Sequence, residues 1–283
     1  MCEGCEKYGT NGEYWYFNPE NYARRIYKWR KTESEAVRAG ENPSAEGGDA
    51  SMIGNMGAMK AAAIDMKVLD PEQYTQKVES EGMTFRGLAQ VITLEEVQKI
   101  MDICWPITAM TCACRRQTKA IKDEENFTCM GMGPGMYKWE RWPQIYRGGV
   151  QYLTPDEARG FLDKLNRLGL VHIAETHGAP YTGGICNCEM PLCGQLRARL
   201  EHDVPYVVLK GHYVAQIEPE ACTGCLDCMK RCHFDALHIH SGNRKVVVDA
   251  FKCFGCGNCR RPCRKDAITM VERTTIPAVK DMW

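Results

Sequence analysis

The sequence predicts an α+β protein, with a mostly helical N-terminal and middle region and a C-terminal domain of duplicated βαβ units. Three observations carry this. VAQIEPEACTGC and KVVVDAFKCFGC are two copies of one pattern: a short apolar run, an acidic residue, then cysteines. DALHI and DAITM follow the two copies at matching positions. Upstream, Thr93 and Thr154 each precede a Glu three residues on, which is the pattern of a capping box at a helix start.

Taken in order, the chain divides into 1–62, 63–205 and 206–283. The first segment opens with Cys2-x2-Cys5 and the aromatic run YWYF. Asn18 and Pro19 then form a helix start, and the basic, aromatic stretch after them reads as a helix ending at Gly40. Residues 41–62, rich in Gly, Ala, Met and Ser, read as an extended arm. In the middle segment, the helix after Thr154 places Ala158, Phe161, Leu162, Leu165 and Leu168 on one face and stops at Gly169. LVHI then reads as a short strand.

The chain has 283 residues and zero formal net charge, which argues against nucleic acid as the main partner. No apolar run approaches the roughly 20 residues that cross a bilayer, so the chain is not expected to span a membrane. MCEGCEKYGT has neither an apolar leader segment nor a twin arginine, and the expected location is cytoplasmic. Seventeen cysteines in a chain of this length, an odd number, do not fit a secreted disulfide scaffold. Thiolate ligation of metal in a reducing compartment fits better, because eight of them fall between Cys222 and Cys263 in two matching runs.

The runs are Cys222-x2-Cys225-x2-Cys228-x3-Cys232 and Cys253-x2-Cys256-x2-Cys259-x3-Cys263. Three cysteines at i, i+3 and i+6 in a tight loop can wrap three irons of a cubane. Gly224, Gly255 and Gly257 let the backbone turn closely around it. A zinc reading needs two tetrahedral sites and leaves the duplicated spacing unexplained. These residues resemble the bacterial two-cluster ferredoxins, which implies a ferredoxin-like domain holding two [4Fe–4S] clusters and moving one electron at a time. In that family the fourth cysteine of each run ligates the other cluster. The resemblance therefore implies one set of Cys222, Cys225, Cys228 and Cys263, and a second of Cys253, Cys256, Cys259 and Cys232. His233 and Arg264 stand where the family usually has proline, which bears on the reduction potential rather than on ligation. The His233 imidazole, one residue from Cys232, is a candidate for coupling proton uptake to electron uptake.

Upstream, TCACRR contributes Cys112 and Cys114, FTCMGMG contributes Cys129, and GGICNCEMPLC contributes Cys186, Cys188 and Cys193. Free thiols, a zinc site and a third [4Fe–4S] cluster are the readings, and the third is the expectation. Roughly residues 90–270 resemble multi-cluster iron–sulfur proteins of anaerobes with C-x-C-R and I-C-N-C segments ahead of a ferredoxin module. Many of those continue with another cysteine where this chain has Glu189. The remaining thiols, Cys2, Cys5 and Cys104, are left for a flexible redox pair, a fourth cluster or zinc. GMGPGM at 131–136 lacks the ending of a P-loop, and no nucleophile–base pair stands out. His172 and His177 read as structural.

The expected function is an iron–sulfur electron-transfer subunit of a larger anaerobic oxidoreductase, more an electron wire than an enzyme. Its partner is expected to carry a flavin or metal cofactor. Residues from Cys222 onward hold eleven Lys or Arg against six Asp or Glu, a basic pole suited to an acidic docking surface. The alternatives are a catalytic or redox-sensing protein with an open iron position upstream, or a stand-alone ferredoxin-like carrier.

Overall fold

The computed structural model describes residues 1–23, 89–112, 114–115, 127–133, 136, 150–176, 182–204 and 207–283. Its centre is a six-stranded antiparallel sheet made of β1 (Ala89–Ile92), β2 (Ile107–Thr111), β3 (Phe127–Met132), β4 (Val150–Leu153), β5 (Val171–Thr176) and β6 (Thr182–Cys188). The strand order is β1-β5-β6-β3-β2-β4. The expectation of a mostly helical N-terminal and middle region is therefore corrected for the described residues. AQVI, ITAMT and VHIAET are short runs rich in β-branched residues, and such residues favour a pleated surface. All positions of β1, β2 and β5 are buried, so the sheet is covered on both faces.

Five α-helices lie among the described residues. They are α1 (Glu3–Tyr8), α2 (Glu20–Ala23), α3 (Leu94–Ile100), α4 (Pro155–Arg167) and α5 (Gly194–Leu200). Both expected capping boxes are present, on α3 and α4. At α3, Thr93 Oγ1 accepts from the Glu96 N–H at 3.2 Å and Glu96 Oε2 accepts from the Thr93 N–H at 2.7 Å. On α4, Ala158, Leu162 and Leu165 are buried, while Leu168, expected on the same face, is 62% exposed. Leu168 is the residue at which the helix ends, before Gly169 turns the chain with φ +91°.

Alternation along the strands splits the core in two. Ile92, Ala174, Ile185, Met130 and Ile107 face one cluster with Trp15, Tyr16, Val97 and Leu162. Val91, Val171, Ile173 and Cys188 face the other, together with Val214, Ala215, Phe234 and Phe254 of the C-terminal module. The N-terminal residues therefore pack into the protein: Trp15 and Tyr16 are 0% exposed. Asn18 Oδ1 accepts from the Glu20 N–H at 3.1 Å, capping α2 as the Asn–Pro pair predicts. The remainder of that helix to Gly40 and the arm at 41–62 lie outside the described residues.

The C-terminal module pairs β7 (Tyr213–Ile217) with β10 (Ile268–Glu272), and β8 (Leu237–Ile239) with β9 (Val246–Val248), both antiparallel. It shares an apolar cluster with the sheet and is hydrogen-bonded to it. Leu209 donates its N–H to Ala89 and accepts from the Val91 N–H, beside the edge strand β1. Arg260 reaches Glu95 of α3 at 2.6 Å and Arg261 reaches Asp163 of α4 at 2.8 Å. No helix among the described residues is long and apolar enough to cross a membrane.

Candidate metal centre

The second cysteine run closes around a small cavity lined by Cys253, Cys256, Cys259 and, from the first run, Cys232. Phe234, Phe254, Ala215 and Leu237 complete an apolar wall, with the Phe234 and Phe254 rings stacked at 4.3 Å. Burial pushes the Cys256 thiol up to about 12, and it raises those of Cys232 and Cys259 as well. A lone thiolate is costly in such surroundings and is stabilised when bound to cationic iron, so this donor set fits an iron–sulfur core. N–H groups already point at the sulfurs: Ala215 N lies 3.5 Å from Cys253 Sγ, and Ala236 N lies 3.4 Å from Cys232 Sγ.

The two loops carry the same backbone. Gly224 and Gly255 have φ of +69° and +77°, and at the next matching position Leu226 and Gly257 have +66° and +75°. A Cβ on Gly255 would stand 2.1 Å from the Tyr213 carbonyl oxygen, so only glycine fits there. The first loop is nearer the surface. Cys225 is exposed and Cys222 and Cys263 are half-buried, whereas Cys253, Cys256 and Cys259 are all buried. Burial pushes the Cys228 thiol up to about 11, and the neighbouring charges of Cys225, Cys222 and Cys263 push the same way.

Residues 215–264 match the 4Fe-4S dicluster domain. That supports iron–sulfur clusters and electron transport in this part of the chain. No curated protein is matched.

Two side chains that the sequence did not mark, Arg273 and Asn258, and one that it did, His233, hold the dicluster domain in place. Arg273, 0% exposed, donates to the carbonyl oxygens of Gly211 at 2.9 Å, Tyr213 at 3.1 Å and Cys253 at 2.8 Å. Burial lowers it to about 10, still well above neutral pH, so a buried cation sits behind the second loop. Asn258, between Gly257 and Cys259, donates to the carbonyls of Gly169 at 2.8 Å and Leu170 at 3.1 Å. His233 Nε2 donates to the same Gly169 oxygen at 2.9 Å, while its Nδ1 accepts from the Met190 N–H at 3.4 Å. Both ring nitrogens of His233 thus serve as a strut to the middle region.

The six upstream cysteines converge. Cys129 and Cys186 are direct partners across β3 and β6. Cys186 and Cys188, two apart in one strand, share a face and pack against the core cluster that contains the dicluster domain. The thiols form one connected network. Cys112 bonds Cys114 and Cys129, Cys129 bonds Cys186, and Cys188 bonds Cys186 and Cys193, the last at 3.0 Å. Hydrogen bonds from Cys114 and Cys129 lower Cys112 and favour its thiolate. Glu189, which stands where a further cysteine is common, pairs with Arg115 at 2.5 Å. The carboxylate beside the thiols is Glu175, whose Oε2 accepts from Cys186 Sγ at 3.0 Å while Gln195 holds Oε1 at 2.7 Å.

The remaining thiols separate. Cys104 Sγ lies 3.5 Å from Met132 Sδ, and burial pushes it up to about 12. Cys2 and Cys5 are buried, not a flexible pair, and lie against His212. Nothing in the sequence joins Cys5 to a histidine 207 residues away. His172 is structural as expected: inside β5, it reaches Asn187 at 2.6 Å and Asn166 at 3.3 Å. His177 lies outside the described residues.

Proposed function

We propose that the protein is a multi-cluster iron–sulfur subunit that relays single electrons within a larger anaerobic oxidoreductase, with a third [4Fe–4S] site at the upstream cysteines. The observation that carries this reading is the order of burial. Cys225 of the first run is exposed, Cys253, Cys256 and Cys259 of the second are buried, and Cys186, Cys188 and Cys193 of the upstream group pack in the same apolar cluster as these. Bound to these thiolates, [4Fe–4S] clusters supply reversible one-electron chemistry. The chain positions the sulfurs, supplies N–H groups to them, and excludes water from the second site with Phe234 and Phe254.

The exposed end suits docking. Arg244, Arg264 and Lys265 are exposed, as are Ile239, Val247 and Phe251 on or beside the β8–β9 hairpin. A basic rim with apolar residues fits an acidic partner carrying a flavin or metal cofactor. Part of the basic excess is neutralised internally, because Arg260 and Arg261 pair with Glu95 and Asp163.

A second reading, a catalytic or redox-sensing site with an open iron position, is favoured by Glu175. Its carboxylate touches Cys186 and can stand in for a thiolate.

Anaerobically purified protein is expected to hold about twelve irons with matching sulfide, three cubanes of four. A value near eight at full occupancy of the dicluster domain overturns the third site. Purification of the native assembly tests the subunit role: a free monomer that accepts and delivers electrons alone makes the protein a stand-alone carrier. A change in the spectrum of isolated protein on adding a small molecule favours the second reading.

A further inference from the structure

We infer that Cys2, Cys5 and His212 form a mononuclear zinc site that ties the N-terminus to the dicluster domain. Three soft or borderline donors from distant parts of the chain meet in the core. Cys2 Sγ lies 3.4 Å from Cys5 Sγ and 3.7 Å from His212 Nε2, and Cys5 Sγ lies 3.2 Å from the same nitrogen. A tetrahedral ion with Zn–S of about 2.3 Å and Zn–N of about 2.0 Å separates its ligands by roughly 3.5–3.8 Å. The three separations need to change by only a few tenths of an ångström.

The donors are also oriented for it. Glu96 accepts at both carboxylate oxygens, from the Thr93 N–H at 2.7 Å and the Tyr16 hydroxyl at 2.6 Å. The Tyr16 proton is thereby committed, so its oxygen must accept from His212 Nδ1–H, 2.8 Å away. That fixes the Nδ1–H tautomer and leaves the Nε2 lone pair facing the two sulfurs. A ligand histidine whose other N–H is held by a hydrogen-bonded partner is the usual arrangement around protein-bound zinc. The imidazole is further locked by the Tyr14 ring, stacked on it at 3.6 Å and 6°.

Charge agrees. Binding forms two Zn–S bonds and one Zn–N bond and sends the thiol protons to solvent. Two thiolates, a neutral imidazole and Zn²⁺ sum to zero, which the buried surroundings tolerate far better than a bare thiolate. The thiolate–imidazole set suits zinc, whereas Mg²⁺ and Ca²⁺ prefer oxygen. Gln90 lies beside the triad, its Oε1 3.8 Å from Cys2 Sγ and accepting from Trp15 Nε1 at 2.8 Å. The site is separate from the iron–sulfur sites, and its metal has its own X-ray edge.

The test is metal analysis and zinc K-edge absorption on full-length, anaerobically purified protein grown with zinc. One zinc per chain with two sulfur neighbours at about 2.3 Å and nitrogen or oxygen at about 2.0–2.1 Å is expected. Cys2→Ser/Cys5→Ser and His212→Ala should lose that zinc and keep their iron. Should those variants fold poorly, Tyr16→Phe gives a second readout in the intact triad. Chelator competition should show zinc held about 10–100-fold more weakly, because the Nδ1–H partner is gone. Protein without zinc, iron at the triad in place of zinc, a Cys2–Cys5 disulfide in freshly isolated protein, or unchanged zinc affinity in Tyr16→Phe each overturns the assignment.

Discussion

Asn258 Nδ2 lies 2.8 Å from the carbonyl oxygen of Gly169, joining the second cysteine loop to the end of α4. The same amide reaches Leu170, and Asn166 Nδ2 donates to Asn258 Oδ1 at 2.9 Å. Asn258→Ala should cost about 1–3 kcal/mol, because buried polar partners are left unpaired. Anaerobic denaturant unfolding, followed by loss of visible absorption, measures this. His233→Pro removes the second bond to Gly169 and should destabilise in the same direction while the iron content is kept.

Gly169 itself should resist substitution. Its φ is +91°, and a Cβ there would lie 2.6 Å from Arg231 Nη1. Gly169→Ala should cost at least about 1 kcal/mol from backbone strain, with displacement of Arg231 added. A neutral or stabilising effect in the same unfolding assay contradicts this description of the turn.

Arg273 is a buried cation behind the Cys253 loop. Positive charge beside a cluster favours its reduced form, so Arg273→Met should lower the potential of the site held by Cys253, Cys256 and Cys259. Arg273→Lys keeps the charge and loses part of the three-carbonyl clamp, so it should shift the potential less than the Met variant. Spectroelectrochemical titration of the variants decides, and equal shifts for Lys and Met would remove charge as the cause.

His172 gives a pH dependence with a definite sign. Burial lowers its pKa from 6.5 to about 4. Between those values the unfolded chain binds the proton and the folded chain does not. The contribution is therefore fully present above pH 6.5 and is lost as pH falls toward 4, by about 3 kcal/mol across the window. Since the clusters add acid sensitivity of their own, the comparison is with His172→Gln. The variant should show a shallower loss of unfolding free energy between pH 7 and 5.

Truncation at Trp15 should affect the whole middle region. The indole is 0% exposed and donates to Gln90 Oε1 at 2.8 Å in β1. Trp15→Ala should cost about 3–5 kcal/mol in the same unfolding assay. Removing residues 1–23 should disturb the sheet and not merely a docking arm, because Trp15 and Tyr16 belong to its core.

Much of the dicluster domain was legible in the chain. Cysteine spacing, the duplicated apolar runs and the glycines at tight turns are local features, and Gly224 and Gly255 have the positive φ that their spacing implies. The capping boxes at Thr93 and Thr154 were legible for the same reason: the interacting atoms sit three residues apart. Of the six-stranded sheet only β5, at LVHI, was legible. Its strands are four to seven residues long, and those buried on both faces show no alternation to separate them from helix. Glu189 was the carboxylate to suspect from its place in the motif. Only the register of β5 with β6 reveals that Glu175 is the one that touches Cys186.

By itself, the sequence determined the loops, the helix starts and the chemistry of the donors, because these depend on residue type and on neighbours a few positions away. The tertiary structure alone decided which donors meet. Cys232 lines a cavity with Cys253, Cys256 and Cys259, Cys129 faces Cys186, and Cys2 and Cys5 face His212. The physical reason is burial. The sheet must cover both faces with apolar surface, and the N-terminal aromatics cover one while the dicluster domain covers the other. That packing brings His212, at the edge of β7, against thiols from the first turn of the chain.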